Sequence, residues 1–200
     1  MAAQFATPEA VRQMRKDGGG LIILMVAPNT ATHLGLPFLT DLFKTSQKDY
    51  PVLSQLVAND IPYDTKSSFS LYINHRKTFT GITDTDRSLT IKAFAQLAAQ
   101  AQRLDQTAAR QRFGSLFRTP GHVPICAASP GLTTNRQGHT ELTVALLLMS
   151  GLIPVGTGCE MMGDQGKALP KDQAVRYADD HHLTYLEGNE IIEAWKQWSP

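Results

Sequence analysis

Residues 118–162 read RTPGHVPICAASPGLTTNRQGHTELTVALLLMSGLIPVGTGCEMM, and this stretch decides the fold. His122–Ala127 follows a Pro-Gly turn and predicts a strand. Thr140–Met149 is apolar nearly all round, which predicts a helix lying inside the fold or at a subunit interface. Gly151 stops that helix. Ile153–Glu160 predicts another strand. Strands and helices that alternate in this way place the chain in a layered α/β or α+β class.

The flanking sequence extends the pattern. Thr7-Pro8-Glu9 is a helix start, with a capping hydroxyl, proline at the first helical position and an acid in the first turn. That helix is expected to run to about Asp17 and to stop at Gly18-Gly19-Gly20. Leu21–Val26 is a continuous apolar run, the signature of a strand covered on both faces. Ser68–Asn74 alternates Phe69, Leu71 and Ile73 against Ser70, Tyr72 and Asn74, a half-buried strand. Asp84 to about Gln102 predicts a helix, and Leu104–Phe113 a second, more polar one. Pro170–His181 predicts a helix, Leu183–Leu186 a strand and Asn189–Trp198 a closing helix. Between 29 and 66 only short helical patches near Ala31–Leu36 and Pro51–Asn59 are expected. No repeat or linker divides residues 1–200, so one domain is expected.

Composition narrows the function. Charged residues make up 18%, below the usual ~25%, which argues against a disordered or charge-rich arm. The net charge of +1 calls for neither nucleic acid nor an anionic membrane as partner. The longest apolar runs, Leu21–Ala27 and Val144–Met149, fall far short of the ~20 residues of a bilayer span. MAAQFATPEAV has no basic segment or long apolar run, so the expected compartment is the cytoplasm. Cys126 and Cys159 have no zinc spacing and are expected to be reduced, buried thiols. Walker, GxGxxG, HExxH and GxSxG motifs are all missing, which leaves kinase, nicotinamide dehydrogenase, zincin and α/β-hydrolase readings without support.

Chemistry-bearing residues gather at four places. Arg136, Gly138, His139 and Thr140 open the apolar helix, where unpaired N–H groups, a close backbone approach and a forked guanidinium suit an anion. The alternative is a plain helix cap. His122 follows the Pro-Gly turn, either facing a cleft or serving the fold. Glu160 ends an apolar strand, either as a partly desolvated carboxylate suited to acid/base work or as a surface carboxylate where the strand emerges. Thr80 and Asp86, within TGITDTDR, are candidate substrate contacts or parts of the next helix start.

Taken together, PGHV at Pro120–Val123, GHTE at Gly138–Glu141 and Cys159-Glu160 resemble the 3,4-dihydroxy-2-butanone 4-phosphate synthase family of riboflavin biosynthesis. FSLYINHRKTFTGITDTDRSLTIKAF is similar to the family's strand–TGI–DR–helix stretch. The resemblance implies a layered α/β/α sandwich with a mixed sheet. It also implies a homodimer with sites at the subunit interface, and magnesium-dependent conversion of ribulose 5-phosphate to dihydroxybutanone phosphate and formate. It makes His139 a metal ligand, sets Arg136, Gly138 and Thr140 on the substrate and its phosphate, makes Glu160 an acid/base and makes His122 an auxiliary essential residue.

The family's acidic D-R-E-x-E-G-D loop has no counterpart among these residues, and Asn74 stands where relatives often carry Asp. A lone His139 is expected to be a poor magnesium site, since that ion prefers several oxygen ligands. The leading expectation is therefore a repurposed site acting by acid/base chemistry on a small phosphorylated or polyhydroxylated keto compound. The alternatives are the synthase itself and a catalytically silent dimer that binds a metabolite or a partner.

Overall fold

The apolar run of Leu21–Val26 needs cover on both faces, and it lies within β1 (Gly19–Val26) of a four-stranded sheet. The computed structural model describes residues 1–57, 60–61 and 66–198. The strand order is β2 (Phe69–His75), β3 (Phe117–Ala127), β1 and β4 (Val155–Met161). β1 and β3 pair in parallel through Leu24–Ile125, Met25–Cys126 and Val26–Ala127. Both outer strands run antiparallel to their neighbours, so the sheet is mixed.

One face carries the main core. α1 (Pro8–Gln13), α5 (Asp84–Ala101) and α6 (Gln106–Leu116) pack there. Ile91 and Phe94 of α5 join Leu24, Val26, Ile73, Val123 and Ile125 in one buried cluster. The expected Thr7 cap forms, its Oγ1 accepting the Ala10 N–H, and at the start of α5 Thr83 Oγ1 accepts the Asp86 N–H.

The opposite face is only partly covered. α7 (His139–Met149) lies across β1 and β4 and packs on α9 (Gly188–Gln197). Gly156 makes the close approach possible, because a Cβ there would lie 2.4 Å from Thr143 Cγ2. Val144 of α7 packs with Ala27, Ala128 and Leu132 at the C-terminal ends of β1 and β3. The all-apolar helix is therefore placed within the fold.

Several boundaries differ from expectation. The first helix ends at Gln13 and continues as a wider π turn over Met14–Gly18, before Gly19 turns the chain at φ +79°. β3 begins at Phe117 and runs through Pro120-Gly121. α2 (Pro28–Leu34) and α4 (Leu53–Leu56) fall near the expected patches, and residues 58–59 of the second patch lie outside the described residues. α3 (Leu39–Ser46) was not expected. α8 (Lys171–Asp180) follows β4. Leu183–Leu186 forms no strand: no ladder among the described residues receives it, and Leu183 and Leu186 stay exposed. The outer edge of β4 is met instead by Ala2, which bridges to Gly156.

Candidate active site

Strand alternation collects the candidate side chains on the face that α7 leaves partly open. Met25, Cys126 and Gly156 are cross-strand partners and so share a face. Counting by twos adds Pro124 and His122 on β3, and Gly158 and Glu160 on β4. Ile73 and Val123 pair on the buried face, so Asn74 points to the same open face as His122. α7 sits on this face too, at the end where β4 begins.

Electrostatics agree with the register. Burial pushes the Cys126 thiol up, a Ser68 hydrogen bond and the Arg136 charge pull it down, and Glu160 and Glu141 push it up again. One buried thiol thus feels the α7 entrance and the end of β4 together.

Glu160 is exposed, which selects the surface carboxylate of the two alternatives its place on an apolar strand offered. Its Oε2 accepts the Leu21 N–H at 2.8 Å, at the irregularity where the β1–β4 register shifts between Gly19 and Ile22. Gly20 makes room for it, since a Cβ there would stand 2.6 Å from that oxygen.

The α7 entrance is built differently from the simple anion site expected. Glu141 is fully buried; its Oε1 accepts the Ser129 N–H at 2.9 Å and its Oε2 accepts from the Arg136 guanidinium. Arg136 is thus committed in part to Glu141, a pairing that sequence reasoning missed, although the five-residue spacing around Gly138 was visible. Thr140 is buried, while His139 is exposed. Gly138 is the N-cap and supplies no side-chain cap, so the first α7 N–H groups have no capping side chain. Arg136 offsets the Glu141 charge, which leaves the positive helix end uncancelled.

Asp86 Oδ2 accepts the Gly81 N–H at 2.8 Å and lies 3.5 Å from Thr80 Oγ1, so these two candidates close their own loop against the α5 start. His122 is exposed, and Asn74, buried beside it, binds it twice: the His122 N–H donates to Asn74 Oδ1 at 2.8 Å, and Asn74 Nδ2 lies 3.1 Å from His122 Nδ1. A cavity of about 720 Å³ lies elsewhere, lined in part by His33, Pro130 and Trp195.

A sequence profile of the 3,4-dihydroxy-2-butanone 4-phosphate synthase family matches residues 1–194. The chain belongs to this family. It is 44% identical over 199 residues to the 3,4-dihydroxy-2-butanone 4-phosphate synthase of Methanothermobacter thermautotrophicus, covering 99% of this chain and 84% of that one. The Methanosarcina mazei synthase is 43% identical over 200 residues, with 98% and 79% covered. Among solved structures, a 3,4-dihydroxy-2-butanone 4-phosphate synthase in complex with two magnesium ions superposes with a TM-score of 0.70 at 25% identity, covering 98% of this chain and 83% of that one.

Family membership raises the question of magnesium. The ion takes oxygen ligands in near-octahedral geometry. At the α7 tip the described residues offer the His139 imidazole, while the carboxylate two positions on, Glu141, is spent on Ser129 and Arg136. No group of three His, Cys, Asp or Glu side chains that could hold a metal occurs among the described residues. These donors alone do not fit the ion. Nor is any helix among the described residues long and apolar enough to cross a membrane.

Proposed function

We propose that this chain is a 3,4-dihydroxy-2-butanone 4-phosphate synthase, converting ribulose 5-phosphate to dihydroxybutanone phosphate and formate. The observation that carries the reading is the 44% identity to a relative of that name along nearly the whole chain. That level of likeness favours the synthase over a repurposed site, and His122, Glu160 and the α7 entrance lie on the same side of the sheet.

The residues divide the work by chemistry. A keto sugar phosphate needs a proton moved from carbon beside its carbonyl, and the Glu160 carboxylate, held through Oε2 by the Leu21 N–H, carries that step. The uncapped α7 N–H groups and Arg136 receive the phosphate. His122 serves the oxygens of the carbon skeleton. The exposed apolar side chains of Leu21 and Met162 flank Glu160 and support a homodimer whose partner covers this rim. A water-soluble sugar phosphate as substrate supports a cytoplasmic setting.

Formate release is the test. Purified protein, ribulose 5-phosphate and magnesium are combined, and formate is measured with a coupled dehydrogenase. Release that Glu160→Gln abolishes supports the synthase. No formate at high enzyme concentration overturns it; turnover of another keto compound would then restore the repurposed site.

A further inference from the structure

His122 has an orienting neighbour that the synthase reading does not use. We infer that Asn74 locks His122 as the Nε2–H tautomer, so that the neutral ring offers the open face a hydrogen-bond donor and not a base.

The argument starts from groups whose roles are fixed. A backbone N–H can only donate, and the His122 N–H reaches one atom of the Asn74 amide at 2.8 Å, so that atom is the oxygen. A backbone carbonyl can only accept, and Thr80 O lies 3.4 Å from the other atom, so that one is the nitrogen. Two independent partners therefore orient the amide. Its nitrogen faces His122 Nδ1 at 3.1 Å. An amide nitrogen donates, so Nδ1 must hold a lone pair, and the single proton of the neutral ring sits on Nε2.

Packing keeps the amide from turning away. Asn74 is 4% exposed. Gly81, at φ +90°, lies so close that a Cβ there would fall 2.0 Å from Asn74 Nδ2. Gly121 lets the two strands approach, since its Cβ would stand 2.0 Å from the Ile73 carbonyl carbon. The ring itself is exposed, with Nε2 on the edge away from Asn74.

The catalytic meaning rests on the synthase reading: His122 then donates to a substrate oxygen while Glu160 takes the carbon-bound proton. Asn74 is a positioning residue, acting through His122.

The tautomer is read directly. The whole chain is prepared with 15N-histidine, and long-range 1H–15N spectra are recorded well above the ordinary histidine pKa of about 6.5. The spectrum of His122→Gln identifies the His122 signals by their loss. The proton is expected on Nε2 in the wild type, on Nδ1 in Asn74→Asp, and exchanging between both in Asn74→Ala. A wild-type ring that carries the proton on Nδ1, or averages the two forms, overturns the inference even if neither variant folds. An Asn74→Ala ring that keeps the wild-type pattern also overturns it. In formate release, Asn74→Ala is expected to lower kcat roughly tenfold with KM changed less than about twofold. A locked Nε2–H ring in a chain that releases no formate sinks the synthase reading and leaves the tautomer assignment standing; formate release with an averaged ring does the reverse.

Discussion

Glu141 and Arg136 form an ion pair beneath the tip of α7, with the carboxylate fully buried and the Arg136 side chain only 20% exposed. The carboxylate also accepts the Ser129 N–H, tying the loop after β3 to the helix. Gly138 stands between the partners, since a Cβ there would lie 2.1 Å from Arg136 Nη1. The pair and the Ser129 N–H together fix the start of α7 against the loop after β3.

Breaking that pair from one side is expected to be severe. Arg136→Met leaves a buried carboxylate without its cation, at a cost of about 3–5 kcal/mol. Replacing both partners, as Arg136→Met with Glu141→Leu, removes the uncompensated charge and is expected to recover part of the loss. Urea denaturation of the two variants checks this. Equal stability of Arg136→Met and wild type would show that the pair contributes nothing.

Glu160→Gln separates chemistry from fold. The residue is exposed, and the glutamine oxygen still accepts the Leu21 N–H, so stability is expected to stay within about 1 kcal/mol. Activity is expected to fall ~10²–10⁴-fold, because the amide cannot take a proton. Formate release and a thermal melt on the same preparation decide. Retained activity would remove Glu160 from the reaction.

Gly20→Ala attacks the same carboxylate from its support. The new methyl would meet Glu160 Oε2 at 2.6 Å and the Glu160 carbonyl oxygen at 2.7 Å, so both the side chain and the β1–β4 ladder must shift. The expected cost is about 1–3 kcal/mol with a fall in kcat. Gly114→Ala is the control: nothing lies within 4 Å of its Cβ, and it stands inside α6, so a gain of up to about 1 kcal/mol is expected. Melting curves and formate release compare the two. A Gly20→Ala protein as stable and active as wild type would show that this crowding is relieved without cost.

What the sequence made legible was set by local pattern. The apolar run of β1, the Thr-Pro-Glu start of α1 and the nearly uniform apolarity of α7 depend on neighbours along the chain, and each appears close to its expected place. PGHV, GHTE and Cys-Glu were visible as motifs, and strand alternation alone would have put His122 and Glu160 on one face once the register was known. The Asn74–His122 pairing was not legible. It depends on how β2 meets β3 across a register shift at Ile73/Asn74 and on the space left by Gly81 and Gly121. The commitment of Arg136 to Glu141 was hidden for a similar reason, since burial of Glu141 is decided by the loop at Ser129. Leu183–Leu186 shows the opposite case: a strand pattern needs a ladder, and among the described residues none receives it.

Asp84 gives the pH dependence its sign. It is the first residue of α5, and Arg15, in the wide turn after α1, grips it with two hydrogen bonds of 2.9 and 2.7 Å. Arg87 adds a third at 2.9 Å. These bonds, Arg15 first, hold the Asp84 carboxyl at about 2, below its ordinary 3.8. A carboxylate with a lowered pKa in the folded state stabilises that state above its unfolded value, and the stabilisation drains away as pH falls toward the folded value. Wild type is therefore expected to lose stability between about pH 4 and about pH 2 through this group. Asp84→Asn has no such charge to lose: it is expected to be less stable than wild type at neutral pH and to approach it at the acid end. Denaturant titrations of both proteins across that window measure the gap. A gap of constant size from neutral to acid pH would show that the Arg15–Asp84 contact does not link protonation to folding.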